Sequence, residues 1–277
     1  RTLPMPTVTI LMQLVTGMKQ LILLPLPPQY QARSHSFPSC SMALIQEALY
    51  TDGTPILRME NEFLQLEIAP SVGGRMTGLV DKSSGYDFLW RNAGLKLEKL
   101  APYSEYDPNF YGGIDELLPN DIPETLHGIQ CPDHGELWTA SLESNVENGE
   151  VALTGLLPLS SLKYERRIAL RADAPFVDTH YRITNLAGEE RAFLWKLHAA
   201  LAIEPGDRIA CPADIGQVVD LAWSRWDTLA PFAWPFIGQE RVPVHARDVN
   251  RLRRDNGDRT SRRILSTRLA AQDPLPV

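Results

Sequence analysis

Cysteine is scarce: the chain has only Cys40, Cys131 and Cys211, an odd number at wide spacing with no CxxC pair. A disulfide framework and a cysteine zinc site are therefore not indicated, and a reducing, cytoplasmic setting is expected. No GxGxxG run, phosphate loop or internal repeat occurs, which leaves glycine-loop nucleotide folds and solenoids without support. No long segment keeps a 3.6-residue apolar period, which counts against a helical architecture. A net charge of −7 argues against nucleic acid as a partner.

Lysine and glutamate are both missing after Glu240. From Arg241 to Val277 there are nine Arg and four Asp, a net of +5, so residues 1–240 carry −7 − 5 = −12. That end reads as an atypical Arg-rich tail with too little apolar surface to offset its ordering entropy. Near the other end, residues 7–25 are apolar but broken by Gln13, Gly17, Lys19 and Gln20. A membrane span wants about 20 mostly apolar residues, so none is expected. A leader would need a small-residue cleavage site, which QARSHSFPSC supplies poorly. Residues 1–41 are thus expected to be a poorly ordered extension, 42–240 the folded domain and 241–277 the tail.

From Ala43 onward the texture is β-rich. ILRMENEFLQLEIAP reads as two short strands, with Phe63, Leu64, Leu66 and Ile68 near the alternating period. Residues 139–209 continue as apolar segments separated by Glu-Asn-Gly, Ala-Asp-Ala-Pro, Asn-Leu-Ala-Gly and Glu-Pro-Gly-Asp turns. Spacings of about 8–12 residues predict an all-β sandwich or barrel. Between Tyr111 and Trp138 no period is kept. The run YGGIDELLPNDIPETLHGIQCPDHGELW reads as a surface loop system, the usual carrier of binding and catalytic groups.

NEFLQLEIAPSVGGRMTGLVDKSSGYDFLW resembles the opening of the galactose mutarotase-like superfamily, which includes the aldose 1-epimerases. YGGIDELLPN followed by PDHGELW is similar to that family's first-histidine region. ERRIALRADAPFVDTHYRITNLAGEERAFLWKLHAALAIEPGDRI is similar to the segment that runs into its second histidine. The resemblance extends from about Met59 to Pro212, with an echo in LAPFAWPFIGQ. It implies a large antiparallel β-sandwich that binds a small-molecule sugar, interconverts its anomers by acid–base ring opening, and uses neither cofactor nor metal. It also implies that His198 is the acid at the ring oxygen, that His134 hydrogen-bonds the sugar, and that Arg75, after Gly73-Gly74, donates to a sugar hydroxyl. The family's base is a late glutamate, for which this chain offers no residue beyond Glu240. The last strands are accordingly expected to be missing, and a non-catalytic carbohydrate-binding sandwich is the competing reading.

Other candidates follow from residue chemistry. Asp115 and Glu116 after a Gly-Gly pair could accept from sugar hydroxyls, or be solvated loop charges. Trp138 and Trp234 could stack on an apolar sugar face, although buried aromatics are commoner. Lys196, two residues before His198, would share its face on a strand. His198 itself could be a core histidine satisfied by backbone. His127, Asp133 and His134 match no metal-binding spacing.

Overall fold

The computed structural model describes residues 43–203, the strand backbones Val8–Val15 and Gln20–Pro25, and residues 215–218, 221, 226–234, 236–237 and 242–243. The chain divides into two compact units, Arg1–Ala202 and Ile203–Val277.

The first unit is all-β. Its strands in chain order are β1 (Val8–Val15), β2 (Gln20–Pro25), β3 (Leu44–Leu49), β4 (Pro55–Glu60), β5 (Leu64–Ala69), β6 (Arg75–Asp81), β7 (Tyr86–Asp87) and β8 (Ile114–Leu117). Then follow β9 (Glu124–Leu126), β10 (Ile129–Cys131), β11 (Glu143–Glu147), β12 (Glu150–Leu157), β13 (Leu162–Leu170), β14 (Phe176–Asn185) and β15 (Lys196–Ala199). One sheet has the order β15-β8-β6-β5-β4-β3, with β7 along β6, and the other β11-β12-β13-β14-β1-β2. Pairing within both is antiparallel. Among the described residues no helix is long and apolar enough to cross a membrane.

The predicted strand pair at 55–69 is present. Asn61 makes its turn: its Oδ1 accepts from the Phe63 and Leu64 amides at 2.8 and 2.6 Å, an Asx arrangement that substitutes for backbone bonds. Its Nδ2 reaches the Arg171 carbonyl at 2.6 Å, tying this hairpin to the turn between β13 and β14. The alternating residues then meet across the sheets. Met59, Leu64, Leu66, Met76 and Leu79 of one sheet pack with Val151, Leu153, Tyr164, Ile168 and Val177 of the other. Each such side chain, fully buried, contributes roughly 1.5–3 kcal/mol, so this layer carries the sandwich.

The stretch expected to be a surface loop is different in its middle. Ile114–Leu117 is a strand with all four residues buried. It shows no alternation because both of its faces are interior. Ile114 joins the inter-sheet core, and Leu117 joins a second cluster with Tyr106, Phe110, Trp138 and Ala200. Gly112 and Gly113 lead into it at φ +98° and +74°. A Cβ at either position would collide with a backbone carbonyl, that of Trp90 or of Met76. The glycine pair therefore serves close chain-to-chain approach.

Of residues 1–41, the described part is the hairpin β1–β2, with β1 paired to β14 from Val8↔Tyr181 to Gln13↔Phe176. The remaining expectations for 1–41, and nearly all of those for 241–277, lie outside the described residues. In the second unit, Ile215–Gly216 pairs with Phe232–Ala233, and Val218 is buried against Trp226, Phe232 and Trp234.

Candidate functional site

Strand alternation decides which polar groups meet. In the β15–β8 register, His198 lies opposite Asp115 and Lys196 opposite Leu117. His198 and Lys196 therefore share the face that carries Asp115, away from the inter-sheet core. Glu116 points the other way.

Asp115 is the hub of that face and is 2% exposed. Its Oδ2 accepts from Arg75 Nη2 at 2.9 Å and from the Tyr106 hydroxyl at 2.8 Å, while Oδ1 lies 3.0 Å from His198 Nδ1. Burial pushes this carboxyl up, but the Arg75 charge and the hydrogen bonds from His198 and Tyr106 outweigh it and hold it well below the usual carboxylate range. Asp115 is thus a fixed negative charge. A carboxylate oxygen can only accept, so the 3.0 Å contact assigns a proton to Nδ1 of His198. That leaves Nε2 as the nitrogen available for proton exchange.

His134 arrives from a different element, the turn after β10, at φ +63°. Fully buried Asn120 pins this turn by donating from Nδ2 to the carbonyls of Ile122 and Pro132 at 2.7 and 2.6 Å. The His134 amide donates to the Asp121 carbonyl at 3.1 Å. Two residues on, Glu136 accepts from the Leu159 and Ser160 amides at 3.0 and 2.9 Å and so fastens the turn to the other sheet. The His134 ring stacks on Tyr106 with centroids 3.6 Å apart and planes 5° from parallel. Its Nδ1 is 2.9 Å from Asp133 Oδ1, close enough for an ion pair but too poorly aligned for a hydrogen bond. The centroids of His134 and His198 are 6.3 Å apart. Tyr106, Phe110 and Trp138 form an aromatic wall around them, with Phe110 5.3 Å from His198 and Trp138 edge-on to Tyr106 at 4.9 Å.

The other residues read from the sequence divide as follows. Arg75 is 2% exposed, with Nη1 donating to the Gly112 carbonyl at 2.5 Å besides its bond to Asp115. Arg75 thus pairs with Asp115 on the face that carries His198, while its Nε is left without a partner among the described residues. Trp138, 2% exposed, is a wall residue. With Arg75 it also lines a small cavity beside Leu97, Asn109 and Tyr111. Lys196 is held by Asp121, at 3.1 and 3.0 Å to its two oxygens.

Glu116 does not join the group. It faces the opposite sheet, where Tyr164 donates to Oε2 at 2.7 Å and Arg166 Nη1 lies 3.0 Å from Oε1, and the Trp195 indole, just before β15, donates to Oε2 at 2.9 Å. Trp234 belongs to the second unit. Sequence reasoning passed over Tyr106, Phe110, Asn120 and Glu136. The signal for the first two was the density of aromatics in YSEYDPNFY, just upstream of the segment singled out.

Residues 47–123 match the model of a family described as a domain of unknown function, DUF5107. Among solved structures, a TPR-domain containing protein from Parabacteroides distasonis is 18% identical with a TM-score of 0.32, over 43% of this chain and 19% of that one. A galactose mutarotase-like protein from Clostridium acetobutylicum is 15% identical with a TM-score of 0.30, over 46% of this chain and 44% of that one. The chain thus spans about a fifth of the first and under half of the second. At such values the functional reading rests on the site itself.

Proposed function

We propose that this chain is an aldose 1-epimerase-like protein that interconverts the anomers of a sugar by acid–base ring opening. The observation that carries the reading is the convergence of His198 and His134 at 6.3 Å from elements 64 residues apart (198 − 134). Anomer exchange needs one group to protonate the ring oxygen and another to take the proton from the anomeric hydroxyl. Imidazole suits both because its two forms coexist near neutral pH. In this reading His198, as imidazolium, gives its Nε2 proton to the ring oxygen as the C1–O5 bond breaks. His134 Nε2 takes the hydroxyl proton as the open-chain carbonyl forms. Rotation about C1–C2 and closure on the other face of the carbonyl reverse both transfers, and no atoms are gained or lost.

Polarimetry on freshly dissolved aldoses tests the proposal. His198→Asn and His134→Asn should each slow anomer exchange by about 10²-fold or more, the contribution of a positioned acid or base. Unchanged rates in both variants would remove it. A second reading, sugar binding without catalysis, is favoured by the closure of both strand carboxylates on arginines. A sugar-induced change in tryptophan fluorescence with no anomer exchange in the unmutated chain would select that reading.

A further inference from the structure

We infer that Tyr106 is the positioning residue of this site, holding His198 by its hydroxyl and His134 by its ring face. The inference rests on reading the two histidines as one acid–base centre. A tyrosine hydroxyl has one proton to give and two lone pairs to share. Asp115 Oδ2, 2.8 Å away, can only accept, so the proton points there. A lone pair is then turned to His198 Nδ1, also at 2.8 Å. Asp115, Tyr106 and His198 close a ring in which every polar contact has one donor and one acceptor: Tyr106 O–H to Oδ2, and Nδ1–H shared between Oδ1 and the phenol oxygen. The ring is consistent with one imidazole tautomer only.

The same phenol meets His134 face to face at 3.6 Å and is held from the side by the edge-on indole of Trp138. Tyr106 thus touches both imidazoles through different parts of one rigid group. Packing alone does not account for this. A buried tyrosine needs a single partner for its hydroxyl, whereas this one completes the surroundings of a histidine and a carboxylate together. Burial, first, and the Asp115 charge push the phenol well above its usual range, so it keeps its proton as a donor. A phenylalanine would preserve the stack on His134 and delete the polar half.

Histidine side-chain NMR on the full chain, combined with polarimetric kinetics, tests this. In the unmutated protein His198 should carry its proton on Nδ1, with the resonance shifted by hydrogen bonding. An Nε2–H tautomer there would overturn the inference with no variant needed. In Tyr106→Phe the His198 Nδ1–H resonance should move while those of His134 stay near their positions. The turnover number should fall by about tenfold or more with KM within about twofold, as expected for loss of a hydrogen bond in a charged network. In Tyr106→Leu the His134 resonances should move as well, through loss of the ring current. Unshifted His198 signals and unchanged turnover in Tyr106→Phe would overturn the inference. Failure of anomer exchange in the unmutated chain would count against the epimerase reading alone, because the NMR outcomes still decide what Tyr106 holds.

Discussion

Asp115 and Glu116 are neighbours on one strand, and their carboxylates leave it in opposite directions, each to its own buried arginine: Arg75 at 2.9 Å and Arg166 at 3.0 Å. One carboxylate supports the histidines and the other stitches the two sheets. Two unpaired charges so deep would be prohibitive, and each guanidinium neutralises one of them. Different measurements should therefore respond to the loss of each.

Arg75→Met should destabilise the first unit by about 3–5 kcal/mol, because it leaves Asp115 charged and buried without its cation. Urea unfolding followed by tryptophan fluorescence reads this as a lower midpoint. A loss below about 1 kcal/mol would mean that solvent reaches Asp115.

Glu116→Gln should cost a similar amount, about 3–5 kcal/mol, by stranding Arg166 between the sheets. The double variant Glu116→Leu with Arg166→Met should recover much of that loss, since an apolar pair of like volume avoids the desolvation of both ions. Equal stabilities of single and double variants would show that the two are uncoupled. Under the proposed function, any sugar binding by folded Glu116→Gln should match that of the unmutated chain.

Acid should weaken the fold through Asp115. Its folded-state carboxyl titrates below its unfolded value. The resulting stability is fully present above about pH 4 and is lost as pH falls toward the folded value, because the unfolded chain binds the proton first. Urea midpoints taken from pH 6 downward, in steps of about one unit, should fall less steeply for Asp115→Asn. Parallel curves would exclude Asp115 as the titrating group.

At the alkaline end Tyr106, Tyr164 and Tyr181 should stay protonated past about pH 10. Burial pushes all three up, and the Asp115 charge (Tyr106) or the Glu116 charge (Tyr164 and Tyr181) adds to it. Their folded values exceed the unfolded one, so this stability is present below about pH 10 and drains away above it. Tyrosinate absorbance should show a late phase that coincides with unfolding. A single early phase involving every tyrosine would contradict this.

The sandwich was legible because its strands alternate. In β5, Leu64, Leu66 and Ile68 are buried while Gln65 and Glu67 between them are only partly so, a pattern that local sequence displays directly. The histidine pair was legible only through a resemblance, since nothing between residues 134 and 198 announces that the chain returns to the same place. Strand β8 was misread as loop because four buried residues on two interior faces leave no period. Its carboxylates read as sugar acceptors or solvated charges because their arginines, at positions 75 and 166, lie 40 and 50 residues away (115 − 75 and 166 − 116). Tyr106 was missed for a related reason: a tyrosine that organises a site has the same local sequence as one that fills a core.

His198 stands on β15, a four-residue strand at the end of its sheet order, with β8 as its partner in that sheet among the described residues. Terminal strands of this length open with a small fraction of the free energy that unfolds the core. Asp115, Arg75 and Tyr106 sit on or against inner elements, so partial opening would carry away one imidazole and leave the rest assembled. Among the described residues, the proposed proton-transfer geometry should therefore be lost before the core unfolds. With mild denaturant, anomer exchange should fade and the amide of His198 should exchange its hydrogen well before those of Leu66 or Ile168. The working population would then be set by a local equilibrium at one sheet edge.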